Sequence, residues 1–206
     1  MGTMAWVRST PFMANNMKIS ADILHHADLN RKDVDNFTKK NVVKSITYYI
    51  EHKSPIGTLL LAATDAGVSG MYFEEHRHFK GKHGWLNQPY HLHLQLAAQQ
   101  LDEYFGGTRQ QFDLPLALQG TPFQRSVWEA LIAIPFGQST TYGHHAAVIG
   151  KANAVRAVGT AIGRNPVSII VPCHRVVGAS GALTGFAGGL ERKAFLLRLE
   201  GSERDG

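Results

Sequence analysis

Hydrophobic and polar positions follow two different periods in this chain, and the change of period marks its elements. From Ser45 the segments "SITYYIE", "GTLLLAAT" and "VSGMYFE" are rich in β-branched and aromatic residues, and "HKSPI" and "DAG" between them are turn chemistry. The pattern predicts a three-stranded antiparallel meander. In "LHLQLAAQQLDEYF" the apolar spacing becomes three and four, which places Leu94, Ala97, Ala98, Leu101 and Phe105 on one helical face. "GGTRQQFDLPLALQG" then reads as a linker to a second unit.

That unit opens with a capping box: Thr121 as N-cap, Pro122 at the first helical position and Gln124 three residues past the cap. The helix should run to about residue 134, where "PFG" stops it. Further helices are expected over about 141–149 and 153–162, joined by "GKA", which is a helix-turn-helix arrangement. Helix pairs with glycine turns also occur in proteins that never meet DNA. In the third helix Val155, Val158 and Ile162 should face the core, leaving Asn153, Arg156, Ala157 and Thr160 outward. One long cation among small side chains suits close approach to a DNA groove. "VSIIV" (167–171) reads as a buried strand, and Pro172 ends it. Leu190, Ala194, Phe195 and Leu197 should bury one side of a last helix, with Gly201 as its stop. Residues 1–43 are polar and mixed in charge; they read as a poorly ordered extension with a short helix around residues 20–26.

Composition narrows the class. With 206 residues, 44% hydrophobic and 18% charged, the chain is that of a soluble globular protein with a proper core. No stretch approaches a membrane span, no apolar h-region stands near the start, and no membrane partner is expected. A single cysteine excludes an intramolecular disulfide and any cysteine-rich zinc site, so the expected compartment is the cytoplasm. The histidines ("HRHF", "HLHL", "GHH") have no acidic or thiol ligand at metal spacing, so they read as surface residues and no metal or cofactor is expected. The formal charge of +5 becomes informative by position. Between Glu129 and Glu191 there is no acidic residue, while Lys151, Arg156, Arg164 and Arg175 fall inside that gap. A phosphate backbone fits such a surface.

The one cysteine lies in "VPCHRVVG", where an apolar run gives way to a turn. That is a good place to hold a nucleophile still. His174 and Arg175 are candidates to lower the thiol pKa. Against this, His174 could be a hydrogen-bonded structural histidine and Arg175 a phosphate or carboxylate clamp. Local chemistry leaves a catalytic and a structural cysteine side by side.

"NPVSIIVPCHRVVGASGALTGFAGGLERKAFLLRLEG" resembles the active-site region of the O6-alkylguanine-DNA alkyltransferases, and the likeness extends through "TPFQRSVWEALIAIPFGQSTTYG" and "ANAVRAVGTAIGRNP". It covers residues 119–201; residues 45–105 are similar more loosely to that family's ribonuclease-H-like domain. The fold implied is α+β: a small ribonuclease-H-like domain with an antiparallel sheet over 44–118, then a mostly helical DNA-binding and alkyltransferase domain over 119–206. The resemblance implies Cys173 as alkyl acceptor, His174 as base toward it through a water, and Glu200 orienting that histidine. It implies that Asn165 braces the cysteine turn and that Tyr142 donates to guanine N3. Arg156 would fill the stack left by a flipped nucleotide. Asn153, Ala157, Thr160, Lys151, Arg164 and Arg175 would meet DNA from the minor groove. Val176, Phe186 and Ala187 would line the base pocket with Tyr142. Phe186 and Ala187 stand where relatives often carry hydroxyls, and the zinc site of some members is impossible here.

The partner implied is double-stranded DNA containing O6-alkylguanine, with O4-alkylthymine and cooperativity on DNA left open, and the protein acts as a monomer. Two rivals stand: a helix-turn-helix regulator or lesion binder with a structural cysteine, and a cysteine hydrolase. The joint presence of Cys173, His174 and Glu200 disfavours the first. The basic helix disfavours the second.

Overall fold

The computed structural model describes residues 45–202, so the expected helix around residues 20–26 and the reading of residues 1–43 lie outside the described residues. The meander forms as its alternation requires. Strands β1 (Tyr48–Ser54), β2 (Gly57–Thr64) and β3 (Gly67–Phe73) pair antiparallel. A short strand β4 (Leu86–Asn87), not expected from the sequence, joins β1 in parallel and gives the order β3-β2-β1-β4. Gly67 opens β3 at φ 140, and a Cβ there would lie 2.3 Å from the Pro115 carbonyl oxygen. Only glycine serves at that point.

Helix α1 (Leu92–Phe105) crosses the sheet with Leu94, Ala97, Leu101 and Tyr104 buried. Ala98 and Phe105 pack half-buried at the margin. The free edge of β3 is covered from two directions. Val68 exchanges backbone bonds with Pro115 and Ala117 at 2.8 Å each, and Met71 N donates to Pro166 O at 2.8 Å. A sheet edge left open invites association with other chains. Here it ties the meander to the segment that carries the cysteine.

Helix α2 (Pro122–Ile132) starts on the expected reciprocal cap: Gln124 N donates to Thr121 Oγ1 at 3.2 Å and Thr121 N to Gln124 Oε1 at 3.0 Å. It ends two residues before 134. Strand β5 (Thr140–Thr141) leads into α3 (Tyr142–Val148), which is followed by a 3₁₀ turn (Ala152–Ala154) and α4 (Val155–Gly163). Trp128 of α2 is buried against α4 and donates its indole N–H to Ala161 O at 2.8 Å, which satisfies its polar end. Val158, Ala161 and Ile162 form the buried face of α4. Val155 does not join them. Being the first residue after the 3₁₀ turn, it stays 36% exposed and borders a cleft.

The run 167–171 is buried as expected but is not a strand. Ile169 takes φ +69, a conformation that costs a β-branched residue of order 1–3 kcal/mol, and Val171 N donates back to Val167 O at 3.0 Å. Continuous hydrophobicity signals burial, and a tight turn inside the core satisfies it as well as a strand does. A 3₁₀ turn (Cys173–Arg175) follows, then β6 (Val176–Val177), which pairs in parallel with β5. The last helix, α5 (Leu190–Leu199), ends at Gly201 with φ +68. Its buried face is Lys193, Leu196, Leu197 and the capping residue Glu200, while Leu190 is 48% exposed at the first turn. The expected face was therefore rotated. Sheet and helices share one hydrophobic cluster running from Leu59 and Met71 through Trp128 to Leu196.

Candidate active site

Cys173 sits in the turn between the buried 167–171 loop and β6, 5% exposed. Asn165 holds that loop closed. Its side-chain amide donates to Val171 O at 2.8 Å and to Val167 O at 3.4 Å, and its carbonyl accepts from Val167 N at 3.0 Å. One fully buried side chain thus replaces the bonds that a strand would have made. Burial pushes the Cys173 thiol above its ordinary value, while the Asn165 side chain and the nearby Lys193 ammonium pull it back down. At rest the group is a thiol, and it needs a base to react near neutral pH.

His174 is fully buried. Its Nε2 meets Glu200 Oε1 at 2.8 Å, and its Nδ1 has no hydrogen-bond partner among the described residues. Burial lowers its pKa, and the neighbouring Glu200 carboxylate works against that shift. The imidazole is therefore neutral near pH 7 and can accept a proton.

Glu200 collects donors from three elements. Tyr104 of α1 donates its phenol to Oε1 at 2.7 Å. Arg175 Nε reaches Oε2 at 2.9 Å and Nη2 reaches Oε1 at 2.9 Å. Gly137 N approaches Oε2 at 3.4 Å. Burial alone would raise the Glu200 pKa, but the bonds from His174 and Arg175 outweigh it and hold the carboxyl at about 2. A fixed anion behind a neutral imidazole is the orienting arrangement of nucleophile–base pairs.

The sequence offered Arg175 both as a DNA contact and as a phosphate or carboxylate clamp, and it left Tyr104 unmarked. Arg175 was expected to meet DNA. Instead it is 6% exposed, paired with Glu200 and donating to Ile134 O. A carboxylate in the core captures the nearest guanidinium, because either charge left alone there is costly. Tyr104 was not among the residues placed on the apolar face of α1, yet it is fully buried. Lys193 was also missed. It is fully buried and donates to the Val176 and Thr184 carbonyls, with a pKa that burial lowers to about 8. Lys193 shares its buried face with Leu196 and Leu197, and a charge among those apolar positions is the signal that could have marked it.

The remaining expected residues divide between a cleft and an exposed face. Tyr142, Arg156, Thr160, Phe186 and Ala187 border one cleft of about 690 Å³. Asn153, Ala157, Lys151 and Arg164 are exposed outside its lining. Val176 is fully buried, and its carbonyl accepts from Lys193. The Tyr142 phenol lies 3.1 Å from Thr184 O and 3.3 Å from Gly185 O, so it is held by the loop that closes the cleft. Phe186 stacks edge-on against Phe73 of β3 at 5.7 Å, so the sheet supports the cleft floor. The histidines are not all on the surface: His145 packs inside α3 with Nε2 3.2 Å from Val127 O, and His76 lies buried beside Tyr72 and Phe73. Among the described residues no cluster of metal-ligating side chains forms, and no helix is long and apolar enough to cross a membrane.

A buried thiol with a carboxylate-oriented imidazole, beneath a cationic helix-turn-helix, places the chain in the class of cysteine-reactive proteins that work on nucleic acid. Two family models match nearly the whole described region: the ribonuclease-like domain of 6-O-methylguanine DNA methyltransferase over residues 43–118 and its DNA-binding domain over 122–202. A methylated-DNA–protein-cysteine methyltransferase of Methanosarcina acetivorans is 48% identical over 75% of this chain and 99% of its own. The protein of the same name from Mycolicibacterium paratuberculosis is 47% identical over 71% and 88%. The crystal structure of Mycobacterium tuberculosis OGT in complex with DNA superposes with a TM-score of 0.70 at 45% identity, covering 75% of this chain and 93% of that one. This chain belongs to the methylated-DNA–protein-cysteine methyltransferase family.

Proposed function

We propose that this protein repairs DNA by direct reversal, taking the alkyl group of O6-alkylguanine onto Cys173. The observation that carries the reading is the buried His174–Glu200 pair directly after Cys173, with His174 Nδ1 left open to take a proton, together with a cleft that Arg156 borders. A modified base within a duplex is out of reach, so the nucleotide is turned out into the cleft from the minor-groove side. Arg156, exposed on α4 among small side chains, occupies the gap in the stack. Asn153, Ala157, Thr160, Lys151 and Arg164 form the surrounding DNA face, with Phe186, Ala187 and Tyr142 around the base.

The chemical step is a displacement at the alkyl carbon. His174 takes the thiol proton, relayed through its free Nδ1, and Glu200 stabilises the imidazolium that results. Sγ forms the new S–C bond as the C–O6 bond breaks, and its electron pair passes to the purine. Tyr142 donates toward guanine N3, where the charge collects. Doing so requires the phenol to leave the Thr184 and Gly185 carbonyls. A thioether is not opened by thiol exchange, so each molecule reacts once; the protein works as a monomer in the cytoplasm.

Incubation with a duplex containing O6-methylguanine should add one methyl mass at Cys173, and Cys173→Ser should abolish it. Repair of more than one lesion per molecule would overturn the single-use step. A parallel duplex with O4-methylthymine decides whether that base shares the pocket.

A further inference from the structure

The cleft that Arg156 borders has a second wall, and it comes from the sheet half of the molecule. Arg77 and His78, in the segment after β3, line it together with Arg156, Gly159 and Thr160 of α4. Arg77 and His78 are exposed. Their segment is anchored independently of those side chains, because Arg77 N donates to Ala187 O at 3.3 Å and His78 N to His76 Nδ1 at 3.3 Å. No carboxylate borders this cleft among the described residues; Glu75 and Glu191 face a separate one, of about 790 Å³, that Arg77 also borders. His78 lies close enough to Arg77 and Arg164 for both to oppose its protonation, so two guanidinium groups stand near it.

We infer that Arg77 is a phosphate-binding residue for the DNA strand entering the cleft, so that duplex contact extends from the helix-turn-helix onto the sheet half. This rests on the DNA-repair reading above. A nucleotide turned into the cleft brings its flanking phosphates to the mouth of a cleft that Arg156 and Arg77 both border. A guanidinium engages phosphate through paired N–H donors, which suits a fixed position. His78 is the adjacent donor, neutral near pH 7 because burial and its two arginine neighbours lower its pKa.

The test measures binding of an O6-methylguanine duplex across a salt series for wild type, Arg77→Ala, Arg77→Glu and Lys53→Ala. Lys53 is exposed on β1, outside the cleft lining, and removes the same charge. Losing one phosphate contact lowers the slope of log K against log salt by about 0.9. Arg77→Ala should show that loss with several-fold weaker binding, Arg77→Glu a larger one, and Lys53→Ala none. Reaction with free O6-benzylguanine should be unchanged in all four, since no phosphate is involved. A wild-type slope in Arg77→Ala would overturn the inference. So would a slowed free-base reaction at unchanged duplex affinity, which would make Arg77 a prop for the 184–187 loop. Wild type that binds the duplex yet leaves Cys173 unmodified would remove the repair reading and leave the Arg77 comparison standing.

Discussion

Arg175 and Glu200 form a two-point ion pair inside the protein, with Nε–Oε2 and Nη2–Oε1 both 2.9 Å and both residues buried. The guanidinium is therefore unavailable to DNA. It sets the charge and orientation of the carboxylate that His174 leans on.

Replacing one partner leaves the other charge buried and alone. Arg175→Met should cost about 3–5 kcal/mol of stability, read by chemical denaturation. Arg175→Lys should recover only part of this, because an ammonium cannot match the fork. The salt slope of DNA binding should stay that of wild type. A slope lowered at unchanged stability would return Arg175 to the DNA face.

Glu200→Gln tests both roles of the carboxylate. Transfer near neutral pH should slow by roughly 10²–10⁴-fold as His174 loses its anion. Stability should fall too, since Arg175 keeps its charge without a counter-ion; the change is nearly isosteric but not neutral. The sign of the pH effect follows from a carboxyl held at about 2 in the fold against an ordinary 4.5. Its contribution, on the order of 3 kcal/mol, is complete above 4.5 and lost as pH falls through 2. Acid titration of stability should be correspondingly flatter in Glu200→Gln over that window.

Lys193 titrates at about 8 in the fold against an ordinary 10.5. The folded state thus binds fewer protons than the unfolded one between those values, and stability attributable to this group rises with pH across them. Lys193→Met should remove that rise. It also removes a cation that favours the Cys173 thiolate, so transfer at neutral pH should slow and the rate profile should lose its inflection near 8. Identical pH–rate profiles would leave Lys193 with only its bonds to Val176 and Thr184.

Arg156→Ala should slow repair in duplex DNA and spare reaction with free O6-benzylguanine. Its side chain is exposed on α4, while the thiol is buried under another element. Equal loss in both reactions would mean that Arg156 shapes the cleft rather than the DNA.

What the sequence determined by itself was local. Periods of two and of three-to-four residues specify the meander, α1 and the capped start of α2, because side-chain direction along a strand or helix repeats with the backbone. The likeness around "PCHRV" pointed to Cys173, His174 and Glu200, and the acid-free stretch pointed to a cationic face. Where the chain folds back on itself, only the tertiary structure decided. Burial of 167–171 was legible, but its turn depends on Asn165 reaching across to Val171. The rotated face of α5 follows from Lys193 and Glu200 finding partners inside, which no helical periodicity encodes. Arg175 looked like surface charge because charge on a sequence carries no direction. The direction came from a carboxylate 25 residues away and a tyrosine 96 residues from it, brought to one point by packing. A charge enters the core only where its partners already converge, and that convergence is a property of the fold.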